Sequence, residues 1–566
     1  MLQNGGSMSE IKKRLCDGAK RYYEYLSSHN LGLSEIPISV PTLQDDTLIL
    51  SLRGNVADMD LKLSSALILD IDSTHYMVGD EENIELQYYD ERQKVVYLTL
   101  DSTLKESVKK NLKKLRLFSD LKFLVKNVEE FFENFGDRLK LPTYIESSVI
   151  PIIPTLSDEQ NVALKVVLSE PLSYVWGPPG TGKTQKVLFE AILHYMRQGK
   201  RVAVVTTTNN ALEQVLITLI KQFDMLGLDR SSILRLGTPT MGYMNAYWQT
   251  CDPSLLQQKG ATNLFNFQDT LKTRLKTACV VGVTLDGFIK RYESLELSFS
   301  HIFLDECAYA PLIKTCALCV EGTPLAFFGD HKQLFPVCEM PKTALMQQEN
   351  ENAFVWNLSA LFLESFFNGE KPKNLAQAYE QSGEIPQYRQ MRCVNLSRTH
   401  RYGDNLAQIL DRYVYRIGLR GKDEPMEIFA IDSGAKQEVE TQISQSEVGV
   451  CEILSLKLRA SEYAIITPFV KQRQKLGLKI PRDRIFTIHG SQGQEFDNVI
   501  FSPVSLHYHL TNSYQTHALY ALNVAISRVK KRLFIVCDYA FWSRQKGQLL
   551  SAILQQAQLI TLEDLL

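Results

Sequence analysis

The stretch Leu172-Ser173-Tyr174-Val175-Trp176-Gly177-Pro178-Pro179-Gly180-Thr181-Gly182-Lys183-Thr184 sets an apolar run of strand length directly against a glycine-rich loop. Its second half fits G-x-x-x-x-G-K-[ST]. Glycines let successive backbone N–H groups turn inward around phosphate oxygens. Lys183 is expected to neutralise the β and γ phosphates and Thr184 to offer a hydroxyl to Mg²⁺. The helix that follows, with Gln185 in its first turn, points its positive end at the anion. Gly177, Pro178, Pro179, Gly180, Thr181, Gly182, Lys183, Thr184 and Gln185 are therefore candidate contacts to a nucleoside triphosphate. The loop by itself does not name the class of protein.

Outward from this unit, more apolar runs end in polar loops. They are Val202–Thr206, Val280–Val283, Ile302–Leu304 and Ala326–Phe328. Helical segments lie between them, which predicts a parallel sheet covered on both faces. The theme returns after residue 390 at Tyr463–Ile466, Asn498–Ser502 and Leu533–Val536. The sequence thus predicts an α/β protein with two parallel-sheet domains in tandem. Gly369 to Gln390 is polar and aperiodic and reads as an insertion.

A second chemical signal follows the loop by about 120 residues. His301-Ile302-Phe303-Leu304-Asp305-Glu306 is an apolar strand ending in two carboxylates. In phosphate-loop enzymes the first acid holds Mg²⁺ and its waters, so Asp305 joins Thr184 as a candidate metal residue. The second acid, Glu306, can orient or deprotonate an attacking water.

The bulk numbers bound these readings. A chain of 566 residues is too long for one hydrophobic core, so three or four domain-sized units are expected. Hydrophobic content of 45% and charged content of 22% are ordinary for a soluble globular protein. No run approaches the length of a membrane span, and no apolar signal core opens the chain. Met1 to Ser7 is polar and Gly-rich and reads as a disordered leader. Net charge is −2, which leaves nucleic acid as a partner only through a local groove. Ten cysteines form no framework. The pair Cys316 and Cys319, with Cys307 and Cys338 nearby in sequence, sits in an apolar helical run and reads as buried small residues in a reducing, intracellular setting.

The first third has a different texture. Ser9 to Leu31 reads as helix. Ile36 to Leu100 holds short β-rich runs, Thr47–Leu52, Ala66–Leu69, Ile84–Tyr89 and Lys94–Leu100, that suit a small barrel. Leu104 to Phe135 reads as one or two long helices. Lys105, Lys109, Lys110, Lys113, Lys114, Arg116, Lys122 and Lys126 are spaced for a basic face, either a solvated surface or a phosphate clamp. Pro142, Pro151 and Pro154 mark a linker. The expected division is a leader and helix over 1–35, a barrel-like region over 36–100, a basic helical stalk over 101–141, and two α/β domains over 142–345 and 346–566.

Further runs, in order along roughly two thirds of the chain, complete a known set. Leu156-Ser157-Asp158-Glu159-Gln160, Thr206-Thr207-Thr208-Asn209-Asn210-Ala211 and Thr284 lie in the first domain, with Gly329-Asp330-His331-Lys332-Gln333-Leu334-Phe335-Pro336. The second domain carries Leu396-Ser397-Arg398-Thr399-His400-Arg401-Tyr402 and Thr467-Pro468-Phe469 with Gln472. It also carries Thr487-Ile488-His489-Gly490-Ser491-Gln492-Gly493-Gln494-Glu495-Phe496 and Leu522-Asn523-Val524-Ala525-Ile526-Ser527-Arg528. The chain resembles superfamily 1 helicases, in the branch that includes RecD-like helicases and the helicase of nonsense-mediated mRNA decay.

The resemblance implies two RecA-like domains closing over ATP and Mg²⁺, beside an accessory barrel on a helical stalk. It implies that Gln160 reads adenine, His400 stacks on the base, and Gly493 and Glu495 belong to the nucleotide set. Gln333 would sense the γ-phosphate, and Arg401 and Arg528 would reach it from the second domain. Thr207, Asn209, Thr284, Pro468, Thr487 and His489 would contact a single strand of DNA or RNA. Two departures stand out: Cys307-Ala308 after the acid pair, and Thr399 and His400 where a glutamine and a tyrosine are usual. The implied activity is a 5′ to 3′ helicase or translocase working as a monomer in the cytoplasm or nucleus. A protein-displacing remodeller and a nucleotide-gated switch in a larger complex are the other readings. The barrel is either a strand grip or a docking module for a protein partner.

Overall fold

A strand buried on both faces puts alternate residues into different cores, and the apolar runs of this chain do so. In the computed structural model, which describes residues 5–53, 66–78, 84–90, 93–253, 255, 270–434, 441–507, 510–511 and 518–564, Tyr174, Ala203, Val205, Ile302, Leu304 and Phe327 enter one core. Their neighbours Val175, Val202, Val204, Phe303, Ala326 and Phe328 enter another. The second of these cores is covered by the helices Asp158–Ser169, Phe189–Arg197 and Asn209–Met225.

The first parallel sheet has seven strands, in the order Ile233–Arg235, Val280–Thr284, Val202–Thr206, His301–Leu304, Leu325–Gly329, Leu172–Trp176, Arg392–Asn395. The last strand lies well past the expected break at 345/346. It pairs with the phosphate-loop strand in the register Arg392↔Ser173 to Asn395↔Trp176. Backbone pairing holds it there, and its mostly exposed side chains leave no apolar run to read. The second sheet has six strands, all parallel: Ile485–Thr487, Tyr463–Thr467, Phe496–Phe501, Val529–Cys537, Glu427–Asp432 and Gln558–Leu559. Two tandem RecA-like α/β domains are the result.

Part of the stretch read as an insertion, Gly369 to Gln390, is ordered as the helix Pro372–Ser382. Proline opens it, Leu375 and Tyr379 are buried, and Gly383 ends it in the left-handed region at φ +67°.

Among the described residues, the N-terminal region contains two four-stranded antiparallel sheets. One runs Leu33–Ile36, Leu115–Asp120, Ala66–Ile71, Thr74–Met77; the other runs Thr42–Gln44, Thr47–Ser51, Val95–Leu100, Ile84–Asp90. They share one core through Ile36, Leu48, Leu50, Leu69, Val96, Leu98 and Leu117. The expected one or two long helices from Leu104 to Phe135 are two, and a strand not anticipated from the sequence lies between them. Helix Ser102–Asn111 and helix Leu121–Phe135 flank a strand, Leu115–Asp120. Leu115 and Leu117 point inward on either side of exposed Arg116, and the strand is paired on both edges. Those partners come from distant parts of the chain, so the local Lys and Leu content hid a period of two.

The basic run is therefore not one helix face. Lys105, Lys114, Arg116 and Lys126 are spent on Asp46, Asp72, Glu35 and Glu129.

The helix Gly5–Ser28 takes in Gly5 to Ser7 of the expected leader; Met1 to Asn4 lie outside the described residues. Its stripe Ile11, Leu15, Ala19, Tyr22, Leu26 packs on Val125, Val128, Phe131 and Phe132 of the helix Leu121–Phe135. Gly18 allows close approach to the first α/β domain, since a Cβ there would sit 2.7 Å from the Asn352 carbonyl oxygen. Cys316 and Cys319 are fully buried in the first domain. Among the described residues, no helix is long and apolar enough to cross a membrane.

Candidate nucleotide and nucleic-acid site

The phosphate loop turns through two left-handed glycines, Gly180 at φ +80° and Gly182 at φ +84°. Both also stand where no side chain fits. A Cβ on Gly180 would lie 2.5 Å from Arg401 Cβ, and one on Gly182 would lie 2.6 Å from Gln160 Nε2. The loop is braced from two sides. Gln160 donates to the Thr181 carbonyl at 3.1 Å, and its Oε1 accepts from Ser157 N–H in a capping box. The amide expected on adenine is thus 6% exposed and fixes the loop. From the other side the strand Arg398–Gly403 closes over the loop. His400 N–H donates to Gly180 O at 2.8 Å, and Thr399 Oγ1 donates to Pro179 O at 2.7 Å. Thr399, a departure in the sequence, has its role in that bond. His400 is exposed beside the loop, and partial desolvation and then Arg398 lower its pKa.

Lys183 lies in the loop's recess, donating to Gly177 O at 2.5 Å and Pro178 O at 3.2 Å. Burial lowers its pKa, opposed by Asp330, Glu306 and Asp305. Thr184 Oγ1 donates to Asp305 Oδ2 at 3.2 Å. A hydroxyl and a carboxylate at that spacing are the hard oxygen donors Mg²⁺ accepts when phosphates and waters complete its shell, so the residues fit the ion. Burial, then the Glu306 charge, pushes the Asp305 carboxyl up to about 7. Glu306 itself holds φ +53°, a conformation unusual for a side chain other than glycine or asparagine. Cys307 is accommodated because Gly329 faces it: a Cβ on Gly329 would lie 2.8 Å from Cys307 Sγ.

The second domain delivers two arginines. Arg401 donates to Ser527 O at 3.1 Å and pairs with Glu495 at 2.8 Å, while its Nε is buried with no hydrogen-bond partner among the described residues. Arg528 donates to Val524 O, Gln494 O and, at 3.3 Å, Gln333 Oε1. Burial and neighbouring Arg401 bring its pKa down to about 10. Two guanidinium groups held this close, one with an unpaired donor, form a natural seat for a polyanion.

The expected strand contacts fall into two groups at the C-terminal ends of the sheets. Thr206 and Thr284 are register neighbours in the first sheet. Thr207 follows, its hydroxyl buried without a hydrogen-bond partner among the described residues. Thr284 caps the helix Leu285–Arg291. The Asn209 side chain accepts from Arg235 at 3.2 Å, and fully buried Arg235 is neutralised by Glu213 at 3.1 Å. In the second sheet Thr467 is paired with Thr487, which places Pro468 beside the Thr487–His489 turn. Thr487 Oγ1 accepts from Gly490 N–H, and His489 is exposed. Gly493 meets the first domain, with a Cβ there lying 2.9 Å from Gln214 Oε1. Gln185 is exposed in the first turn after the loop.

Sequence reasoning missed Arg235, Trp176 and Tyr415. Trp176 Nε1 and Tyr415 OH both donate to the Asp330 carboxylate, at 3.0 and 2.7 Å. Trp176 ends the phosphate-loop strand and could have been flagged; Tyr415 carries no motif signal.

Substituting Glu306→Gln keeps the volume and removes the carboxylate expected to act on the attacking water. Hydrolysis should fall by about a hundredfold or more, and strand should leave the ATP-bound variant more slowly than the wild type. Filter-trapped strand off-rates check this; release as fast as the wild type contradicts the coupling of strand grip to ATP.

Two AAA domain family models match residues 155–263 and 387–540. The "ATP-dependent helicase upf1" of Schizosaccharomyces pombe is 23% identical over 75% of this chain and 50% of its own length. The "DNA-binding protein SMUBP-2" of Rattus norvegicus is 24% identical over 68% of this chain and 43% of its own. This chain thus spans half or less of these curated relatives. Among solved structures, arterivirus nonstructural protein 10, a helicase, aligns over 93% of this chain and 82% of its own at 13% identity and a TM-score of 0.39.

Proposed function

We propose that this chain, which belongs to the superfamily 1 helicases and their Upf1-like branch, is an ATP-hydrolysing motor that moves 5′ to 3′ along single-stranded DNA or RNA. One observation carries the reading. Groups from both domains converge on the phosphate loop, and Arg528 of the second domain bonds Gln333 of the first at 3.3 Å. ATP held by Lys183 on one side and by Arg401 and Arg528 on the other ties the domains together, and hydrolysis removes the tie.

Each residue has a physical task in that scheme. Lys183 balances phosphate charge. Thr184 and Asp305 would hold Mg²⁺, which when bound neutralises charge on the phosphate oxygens. Glu306 takes the proton of the attacking water, and Arg401 and Arg528 stabilise charge on the γ-phosphoryl group. Thr207, Asn209 and Thr284 on one sheet edge, and Pro468, Thr487 and His489 on the other, grip the strand. Opening and closing changes the distance between the two grips, which moves the strand. The free thiols fit a reducing intracellular setting, and the N-terminal two-sheet module is the place for a strand grip or a protein partner.

The test is steady-state ATP hydrolysis with and without single-stranded DNA and RNA at two salt concentrations. One polymer should stimulate turnover, and its apparent affinity should fall about tenfold or more between about 50 and about 200 mM salt. Stimulation by neither would overturn the motor and favour a nucleotide-gated switch answering to a protein.

A further inference from the structure

Asp330 is a buried carboxylate, 3% exposed, with its charge satisfied from both domains. Oδ1 accepts from Trp176 Nε1 at 3.0 Å and from Lys332 N–H at 3.0 Å, both in the first domain. Oδ2 accepts from Tyr415 OH at 2.7 Å, in the second. Tyr415 OH in turn accepts from Asn523 Nδ2 at 2.8 Å, and the same amide donates back to Lys332 O at 2.9 Å. Tyr415 and Asn523 are themselves buried. A carboxylate out of water depends on its donors, so losing the Tyr415 bond weakens the whole set.

The network also reaches the arginines. Asn523 lies on the helix Ala518–Ile526. Its carbonyl accepts from Ser527 N–H at 3.0 Å, and the Ser527 carbonyl accepts from Arg401 at 3.1 Å. Val524, the next residue, supplies the carbonyl that holds Arg528 Nε at 2.9 Å. Fixing Asn523 against the first domain therefore fixes both arginine supports.

We propose that Tyr415 and Asn523 are positioning residues for hydrolysis, forming with Asp330 an interdomain latch that sets Arg401 and Arg528 on the phosphate site only when the domains are closed. The latch rests on the nucleotide reading above. It differs from that reading in what it needs: a hydroxyl and an amide bonded across the domains to Asp330 and Lys332 O rather than to the phosphate loop.

The test uses Tyr415→Phe and Asn523→Ala in the full chain, with saturating strand. For Tyr415→Phe, kcat should fall about tenfold while KM for ATP and the melting temperature stay near wild type, because removing one hydroxyl leaves the phosphate loop intact. The double variant should lose less than the product of the single losses, since both residues serve one network. Wild-type kcat in Tyr415→Phe, or a loss in which KM and melting temperature move in step with kcat, overturns the latch. Hydrogen exchange with a non-hydrolysable ATP analogue supplies the second readout. Amides 330–333 and 523–528 should exchange faster in Tyr415→Phe than in the wild type, and equal protection overturns the proposal. A wild-type chain that hydrolyses no ATP with either polymer would sink the proposed function, and exchange alone would then decide the latch.

Discussion

Lys183→Ala is expected to abolish ATP hydrolysis, lowering phosphate release by about a thousandfold or more. The ammonium lies in the loop's recess, where three carboxylates, Asp330, Glu306 and Asp305, act on it. Without it a triphosphate would meet uncompensated negative charge in a poorly solvated recess, where Coulomb repulsion is least screened. Among the described residues it bonds Gly177 O and Pro178 O, both within the loop, so the fold should keep its melting temperature. Phosphate release at saturating strand, beside a melting curve, checks the result. Turnover within about tenfold of wild type would remove Lys183 from the site.

Arg528→Ala should cut turnover by about a thousandfold, the loss expected for an arginine finger, and leave ATP binding in place. Binding is spared because the phosphate loop, Lys183 and Thr184 all lie in the first domain, while Arg528 comes from the second. Arg528 also ties down Val524 O and Gln494 O, so truncation could loosen the helix that carries it. Arg528→Lys separates the two effects. It keeps a buried cation but cannot make the fork of bonds to Val524, Gln494 and Gln333, so kcat should still fall by about tenfold or more while the melting temperature holds. Normal turnover in the lysine variant would reduce Arg528 to an interdomain spacer.

The parallel sheets were legible because their strands are buried on both faces, and a run such as Val202–Thr206 or Tyr463–Thr467 admits little else. Strand Arg392–Asn395 was invisible for the opposite reason: it is held by backbone bonds at a sheet edge and leaves its side chains largely exposed. Strand Leu115–Asp120 was misread because a Lys-rich stretch on either side satisfies a helical period, and only its pairing with Leu33–Ile36 and Ala66–Ile71 selects the extended form. The departures at Thr399 and Cys307 could be seen in the sequence but not understood there. Each is explained by one neighbour across the fold, Pro179 O and Gly329.

By itself the sequence displayed the groups on which the proposed chemistry rests. The phosphate loop, the acid pair at a strand end and the two arginines each depend on residue type and local spacing, which a linear chain displays directly. Tertiary structure alone decided how those groups are held: Gln160 turned onto the loop, Asp330 satisfied by Trp176 and Tyr415, and Arg528 set on Gln333. Such contacts join residues tens to hundreds of positions apart. Their energy comes from burying polar groups together, and no local pattern records which distant partner will share the burial.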